Sequence, residues 1–159
     1  MRKVIKLPDW IKPEHFPIVG VDPGGTTGLA LMRADQRRDG LWNMAVEFGK
    51  PVWPDQASVI LDFLNGASTI LVEDWMLYPF KSASLGWNRM VGPQVIGFVR
   101  GYLVIWERLN SLYFITPAAN KQITDAFLTQ KYAAWVPRNR HSRDAFRVIN
   151  AWLLKKGVK

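Results

Sequence analysis

The sequence predicts a mixed α/β fold in which a five-stranded sheet is covered by helices on both faces. Short strand-like runs at about 17–22, 28–33 and 41–48 follow one another across glycine-rich and charged turns, as expected for an antiparallel meander. The run at 69–72 is almost entirely apolar, which is typical of a strand that is buried on both faces. Together these patterns favour an antiparallel half followed by parallel strands.

The elements between and after these strands are helices and one further strand. Apolar residues at helical spacing, or a capping residue followed by proline as in Thr116-Pro117, predict helices at about 55–64, 88–108, 117–128 and 141–155. A fifth strand is predicted at 111–115, and loops at 75–86 and 131–140. Residues 1–16 are expected to form an irregular N-terminal arm, and 17–159 a single domain.

Composition limits the classes of function. The 159 residues carry a formal net charge of +8, which favours a polyanionic partner, with nucleic acid first. The chain has no cysteine, so any metal must be held by oxygen or imidazole ligands. Neither a signal peptide nor a membrane span is evident, and we therefore expect a cytoplasmic protein with no membrane partner.

Acidic residues end two of the predicted strands. Asp22 closes the first strand and is followed at once by a turn of glycines and threonines at 23–28, which exposes backbone N–H groups to an ion or a phosphate. Glu73 closes the fourth strand, with Asp74 beside it. If the two strands are parallel neighbours, Asp22 and Glu73 leave the sheet at the same edge. An Asp that caps an ordinary turn, and a polar end to a strand, are the alternatives.

A third acid lies in the first turn of the last predicted helix. Asp144 follows His141 by three residues, so both side chains face the same way. Converging ligands of this kind suit Mg²⁺ or Mn²⁺, and two such ions support phosphodiester hydrolysis. The favourable interaction of an acid with a helix N-terminus would by itself also explain Asp144.

The segments 19–28, 72–73 and 141–145 resemble, in order, the three acidic motifs of RuvC-type Holliday junction resolvases, in particular their compact bacteriophage-like branch. The resemblance implies an RNase H-like fold and a crossover junction endodeoxyribonuclease that acts by two-metal hydrolysis. It also implies two Mg²⁺ ions per active site, for which Mn²⁺ may substitute, bound by Asp22, Glu73 and Asp144. His141 would be a ligand or base, and Asp74 a possible further ligand.

The resemblance also indicates how DNA would be bound. The partner implied is branched DNA, above all four-way junctions, and Lys121 matches a lysine of the family that faces phosphate. Further basic residues near the acids are candidates for DNA contact: Lys81, Arg89, Arg138, Arg140, Arg143 and Arg147. Aromatic residues after Glu73 are candidates for stacking on bases at the branch point: Trp75, Tyr78 and Phe80.

The apolar helix at 88–108 has more than one apolar face, and in the family this element contributes to a homodimer; burial within the monomer is the alternative. Three other functions remain open from the sequence. They are an RNase H-like nuclease acting on hybrids or flaps, a non-catalytic DNA-binding module, and a fragment like a sugar kinase that binds nucleotide phosphates. The resolvase interpretation requires no nucleotide cofactor.

Overall fold

A computed structural model describes residues 3–74 and 90–155 of the chain. The strands in this part are β1 (Lys3–Ile5), β2 (Ile18–Asp22), β3 (Gly28–Gln36), β4 (Trp42–Gly49), β5 (Thr69–Glu73) and β6 (Leu112–Ile115). The helices are α1 (Ala57–Leu64), α2 (Val91–Ile105), α3 (Pro117–Lys121), α4 (Asp125–Tyr132) and α5 (Arg140–Leu153).

The six strands form one mixed sheet in the order β1-β4-β3-β2-β5-β6. The antiparallel meander β2-β3-β4 and the parallel pairing of β2 with β5 and of β5 with β6 agree with the sequence prediction. The prediction of five strands is wrong, because Lys3–Ile5, placed in an irregular arm, pairs antiparallel with β4. This edge strand has only three residues, too few for an apolar alternation to be recognisable in the sequence.

Two other predicted boundaries differ from the structure. The helix expected at 117–128 is divided into α3 and α4, because Thr124 caps a new helix by accepting a hydrogen bond from the Phe127 N–H. The loop expected at 131–140 is shorter, since α4 extends to Tyr132 and a 3₁₀ turn covers Ala133–Trp135.

Helices cover both faces of the sheet, as predicted. Alternate residues of β2 enter different cores: Ile18 packs with α5 on one face, while Val19 and Val21 pack with α1 and α2 on the other. The five residues of β2 are thus buried or nearly so, which explains their almost uninterrupted apolar character. No helix among the described residues has the length and apolar character needed to cross a membrane.

Candidate functional site

A cleft of about 410 Å³ lies where β2 and β5 end and α5 begins. It gathers all four acidic and imidazole residues proposed from the motifs, together with basic residues and one amide. Its lining consists of Asp22, Pro23, Gly24, Glu73, Asn120, Lys121, Arg140, His141, Asp144 and Arg147. The cleft therefore combines acids from three separate elements with the cations that would meet a negatively charged ligand.

Parallel pairing brings the first two acids together. The register of β2 and β5 ends at Val21 opposite Val72, so Asp22 and Glu73 are the next residues on adjacent strands. Both lie on the face covered by α5, because side chains alternate along a strand and Leu71 packs in the core beneath that helix. The same alternation places Asp74 on the opposite face, in a separate cleft beside α2. The structure thus brings Glu73, but not Asp74, to the site.

The N-terminus of α5 supplies the other two predicted residues. Asn139 caps the helix by accepting a hydrogen bond from the Ser142 N–H at 3.2 Å, and the Ser142 hydroxyl donates to the Gly49 carbonyl at 3.0 Å. These bonds fix the first turn of the helix to the end of β4. His141 and Asp144 consequently face the cleft, and His141 Nδ1 lies 3.4 Å from Asp22 Oδ2.

Two glycines allow α5 to lie directly on the sheet. A Cβ atom at Gly28 would be 1.9 Å from the His141 carbonyl oxygen, and one at Gly20 would be 2.3 Å from the Ala145 carbonyl oxygen. Both distances are far inside van der Waals contact and involve backbone atoms, so α5 fits only because these positions have no side chain. The sequence indicated Gly28 as a turn residue and gave no indication of this packing role.

The buried acids repel one another. Burial, followed by the charges of Glu73 and Asp144, raises the pKa of Asp22 to about 7, although Arg140 opposes this effect. Burial also raises the pKa of Glu73, against the opposing effect of a hydrogen bond from the Asn120 side chain. Both carboxylates therefore ionise less readily than exposed acids, and a nearby cation would favour their charged forms.

The arginines proposed for DNA contact have different surroundings. Arg147 is largely buried and pairs with both Asp144 and Asp125, while Arg143 Nε lies 3.2 Å from Asp125. Arg140 is mostly exposed and lies 3.6 Å from Asp144. Of the two arginines that line the cleft, Arg140 is therefore the more available to a phosphate. The sequence gave no signal that Asp125 would pair with two of the arginines.

Of the remaining proposed residues, one lies at the rim of the cleft, one lies outside it and the others lie outside the described part of the chain. Lys121 is exposed at the rim of the cleft, whereas Arg138 is exposed on the surface outside the cleft. Five of the proposed residues lie outside the described residues: Trp75, Tyr78, Phe80, Lys81 and Arg89.

The donor set of the cleft fits a hard divalent cation by its chemistry. Carboxylate oxygens are the ligands that Mg²⁺ and Mn²⁺ prefer, and a cation would relieve the repulsion around Asp22. Within residues 3–74 and 90–155, however, no three His, Asp or Glu side chains are close enough to ligate one ion as they stand. Asp144 is engaged by Arg147, so binding would require this side chain to turn towards the other acids.

No family model and no curated protein matches the sequence of this chain. Its fold is similar to that of the fowlpox virus resolvase, which was solved in complex with its substrate Holliday junction DNA. The TM-score is 0.51 at 14% sequence identity, and the match covers 87% of this chain and 99% of the resolvase chain. At this identity the similarity concerns the fold.

Proposed function

We propose that this protein is a metal-dependent, structure-selective DNA endonuclease of RuvC type, with an RNase H-like fold, that cuts four-way or other branched DNA. The observation that carries the proposal is the convergence of Asp22, Glu73, His141 and Asp144 on one cleft from three separate elements. The net charge of +8 and the fold shared with a viral resolvase support a DNA substrate.

The residues of the cleft have distinct roles in this proposal. Asp22, Glu73 and Asp144 would hold two Mg²⁺ or Mn²⁺ ions, which when bound activate a water and stabilise the leaving oxygen. His141 Nδ1 lies 3.4 Å from Asp22 Oδ2, where the imidazole would serve as a further ligand or as a base. Lys121 and Arg140 stand at the rim, where they would pair with the phosphates on either side of the cleavage site.

Cleavage of synthetic DNA tests the proposal. The protein is incubated with an immobile four-way junction, a matched linear duplex and an RNA–DNA hybrid, each with Mg²⁺, Mn²⁺ or EDTA. We expect symmetric nicks in the junction that are lost in EDTA. Cutting of the hybrid alone would show that the substrate is an RNA–DNA hybrid and not branched DNA. Junction binding without cutting under any metal would instead indicate a DNA-binding module.

Substitution of the acids locates the activity. Asp22→Asn and Asp144→Asn should abolish cleavage while junction binding persists, because each removes a charged ligand and leaves the basic rim intact. Asp62→Asn is the matched control, since Asp62 is exposed on α1 at the other face of the sheet. Full cleavage by both Asp22→Asn and Asp144→Asn would refute the assignment of the site.

We propose further that the protein acts as a homodimer through the outer side of α2. Val104, Ile105 and Trp106 are exposed at the end of this helix, Ile105 to 77%, and a groove with almost no polar surface lies beside them. Cβ atoms at Gly97 and Gly101 would meet no atom of the described residues within 4 Å, which leaves room for a partner helix. Among residues 3–74 and 90–155, therefore, no other element approaches α2 closely at these glycines.

Sedimentation of the wild-type protein and of Ile105→Glu measures this association. We expect a dimer that the substitution converts to a monomer without loss of folding, because a buried charge at the interface is unfavourable. Val4→Glu, at an exposed apolar position on the edge strand β1, should remain dimeric. A wild-type monomer at high concentration would exclude the dimer.

A further inference from the structure

Asn120 lies beneath the candidate site and touches one of its acids. Its side-chain Nδ2 donates a hydrogen bond to Glu73 Oε2, and the residue is only 4% exposed. Asn120 matched none of the acidic motifs, and the sequence pattern indicated a role only for its neighbour Lys121. Burial of an amide without a hydrogen bond costs free energy, so the bond to Glu73 stabilises Asn120 in this buried position and ties it to the candidate site.

The fold places Asn120 over Glu73 through the strand next to β5. Ile115, the last residue of β6, pairs with Glu73, and its carbonyl accepts a hydrogen bond from the Asp74 N–H at 2.8 Å. Thr116 then caps α3, which turns back over the end of β5, and the Asn120 N–H donates to the Thr116 carbonyl at 3.1 Å. The segment from β6 to α3 thus holds both the backbone beside Glu73 and its side chain.

The chemistry of an amide suits this position. A buried carboxylate near two other acids needs a hydrogen-bond donor. The neutral amide provides one without adding a positive charge that would form an ion pair with the carboxylate and compete with a metal cation. The orientation of the amide is set by Glu73, since the amide oxygen Oδ1 would repel the carboxylate if it took the place of Nδ2. Since Glu73 Oε2 accepts this hydrogen bond, Glu73 Oε1 remains available to a cation. Asn120 Oδ1 is buried and has no partner among the described residues, so it can accept a hydrogen bond from water.

We propose that Asn120 is a positioning residue that holds Glu73 in the orientation in which it binds a divalent cation. This inference rests on the proposed metal site. It assigns different roles to adjacent residues: Asn120 fixes a ligand from inside the protein, whereas exposed Lys121 faces the substrate. Partners that orient metal ligands in this way typically contribute about 10- to 100-fold to metal affinity.

Calorimetric titration of Mn²⁺ into the DNA-free protein tests the proposal without any need for catalysis. Asn120→Leu keeps the branched shape of the side chain, with bulkier methyl groups, and removes the donor; Asn120→Ala serves if the leucine does not fit. We expect both variants to bind Mn²⁺ about 10- to 100-fold more weakly than the wild-type protein. Junction binding in EDTA should stay within about twofold of wild type, because Asn120 lies below the surface that meets DNA.

Two control variants separate the positioning of a ligand from contact with DNA and from metal ligation itself. Lys121→Ala should bind junction DNA more weakly and Mn²⁺ no more weakly than wild type, since it removes a positive charge near the acids. Glu73→Gln should lose Mn²⁺ binding. Wild-type Mn²⁺ affinity in folded Asn120 variants would overturn this inference and leave the proposed function intact. If the wild-type protein itself bound no Mn²⁺, the metal site would fail, and this inference with it.

Discussion

Replacement of Gly28 by alanine tests whether α5 is held where the candidate site needs it. The new Cβ would lie 1.9 Å from the carbonyl oxygen of His141 and 2.3 Å from its carbonyl carbon. An ordinary contact between carbon and oxygen is about 3.3 Å, so the first turn of α5 would have to move by roughly 1.4 Å. No side-chain rotation can relieve this clash, because both contacted atoms belong to the backbone.

The expected cost follows from this displacement. Overpacking of a core costs about 1–3 kcal/mol, and a clash with backbone belongs at the upper end of this range. For a protein of this size, a loss of about 3 kcal/mol lowers the melting temperature by about 6–12 °C. The movement also separates His141 and Asp144 from Asp22, and a misplacement of about 1 Å in a catalytic site reduces activity by on the order of 100-fold.

Thermal unfolding followed by circular dichroism, together with the junction cleavage assay, measures both effects. Gly25→Ala is the matched control in the same turn, since its Cβ would meet no atom of the described residues within 4 Å. We expect this control to retain or slightly raise the melting temperature, because alanine restricts the unfolded chain. A Gly28→Ala protein that melted within about 1 °C of wild type would refute the close packing of α5 on β3.

Three further outcomes are expected. Urea titrations in EDTA should show the free energy of unfolding falling as the pH rises from about 4 to about 7. The reason is that the raised pKa of Asp22 makes the folded state bind more protons than the unfolded state, and Asp22→Asn should therefore flatten this dependence. Arg147→Gln should destabilise the metal-free protein by about 1–2 kcal/mol. Added Mn²⁺ should then raise the melting temperature of this variant by more than that of wild type, since a bound cation would replace the guanidinium beside Asp144; an equal rise in both proteins would contradict this. Tyr132→Phe should cost about 1–3 kcal/mol by removing the 2.6 Å hydrogen bond to buried Asn150, yet leave Mn²⁺ affinity unaltered in calorimetry.

The candidate site was accessible to sequence analysis because its acids occupy the ends of regular elements. Asp22 and Glu73 directly follow apolar runs whose length and character predict strands, and two such strands in one sheet pair readily as parallel neighbours. His141 and Asp144 are three residues apart in a helix, so their common direction follows from helical periodicity. The ends of these elements follow from local repeats, whereas the parallel pairing that brings Asp22 beside Glu73 is a contact of the sheet that the sequence left as a condition.

The tertiary structure decided what local repeats do not encode. It paired β1 with β4, placed the buried amide of Asn120 on Glu73, and directed Arg147 to Asp144 and Asp125. It also assigned Gly28 to close contact with α5. Each of these contacts joins side chains or backbones that are brought together by the packing of whole elements, and neither a propensity nor a periodicity within one element specifies them. The sequence alone therefore determined which acids end regular elements. The pairing of β2 with β5 and the packing of α5 determined that these acids meet at one edge of the sheet and which neighbours hold and neutralise them.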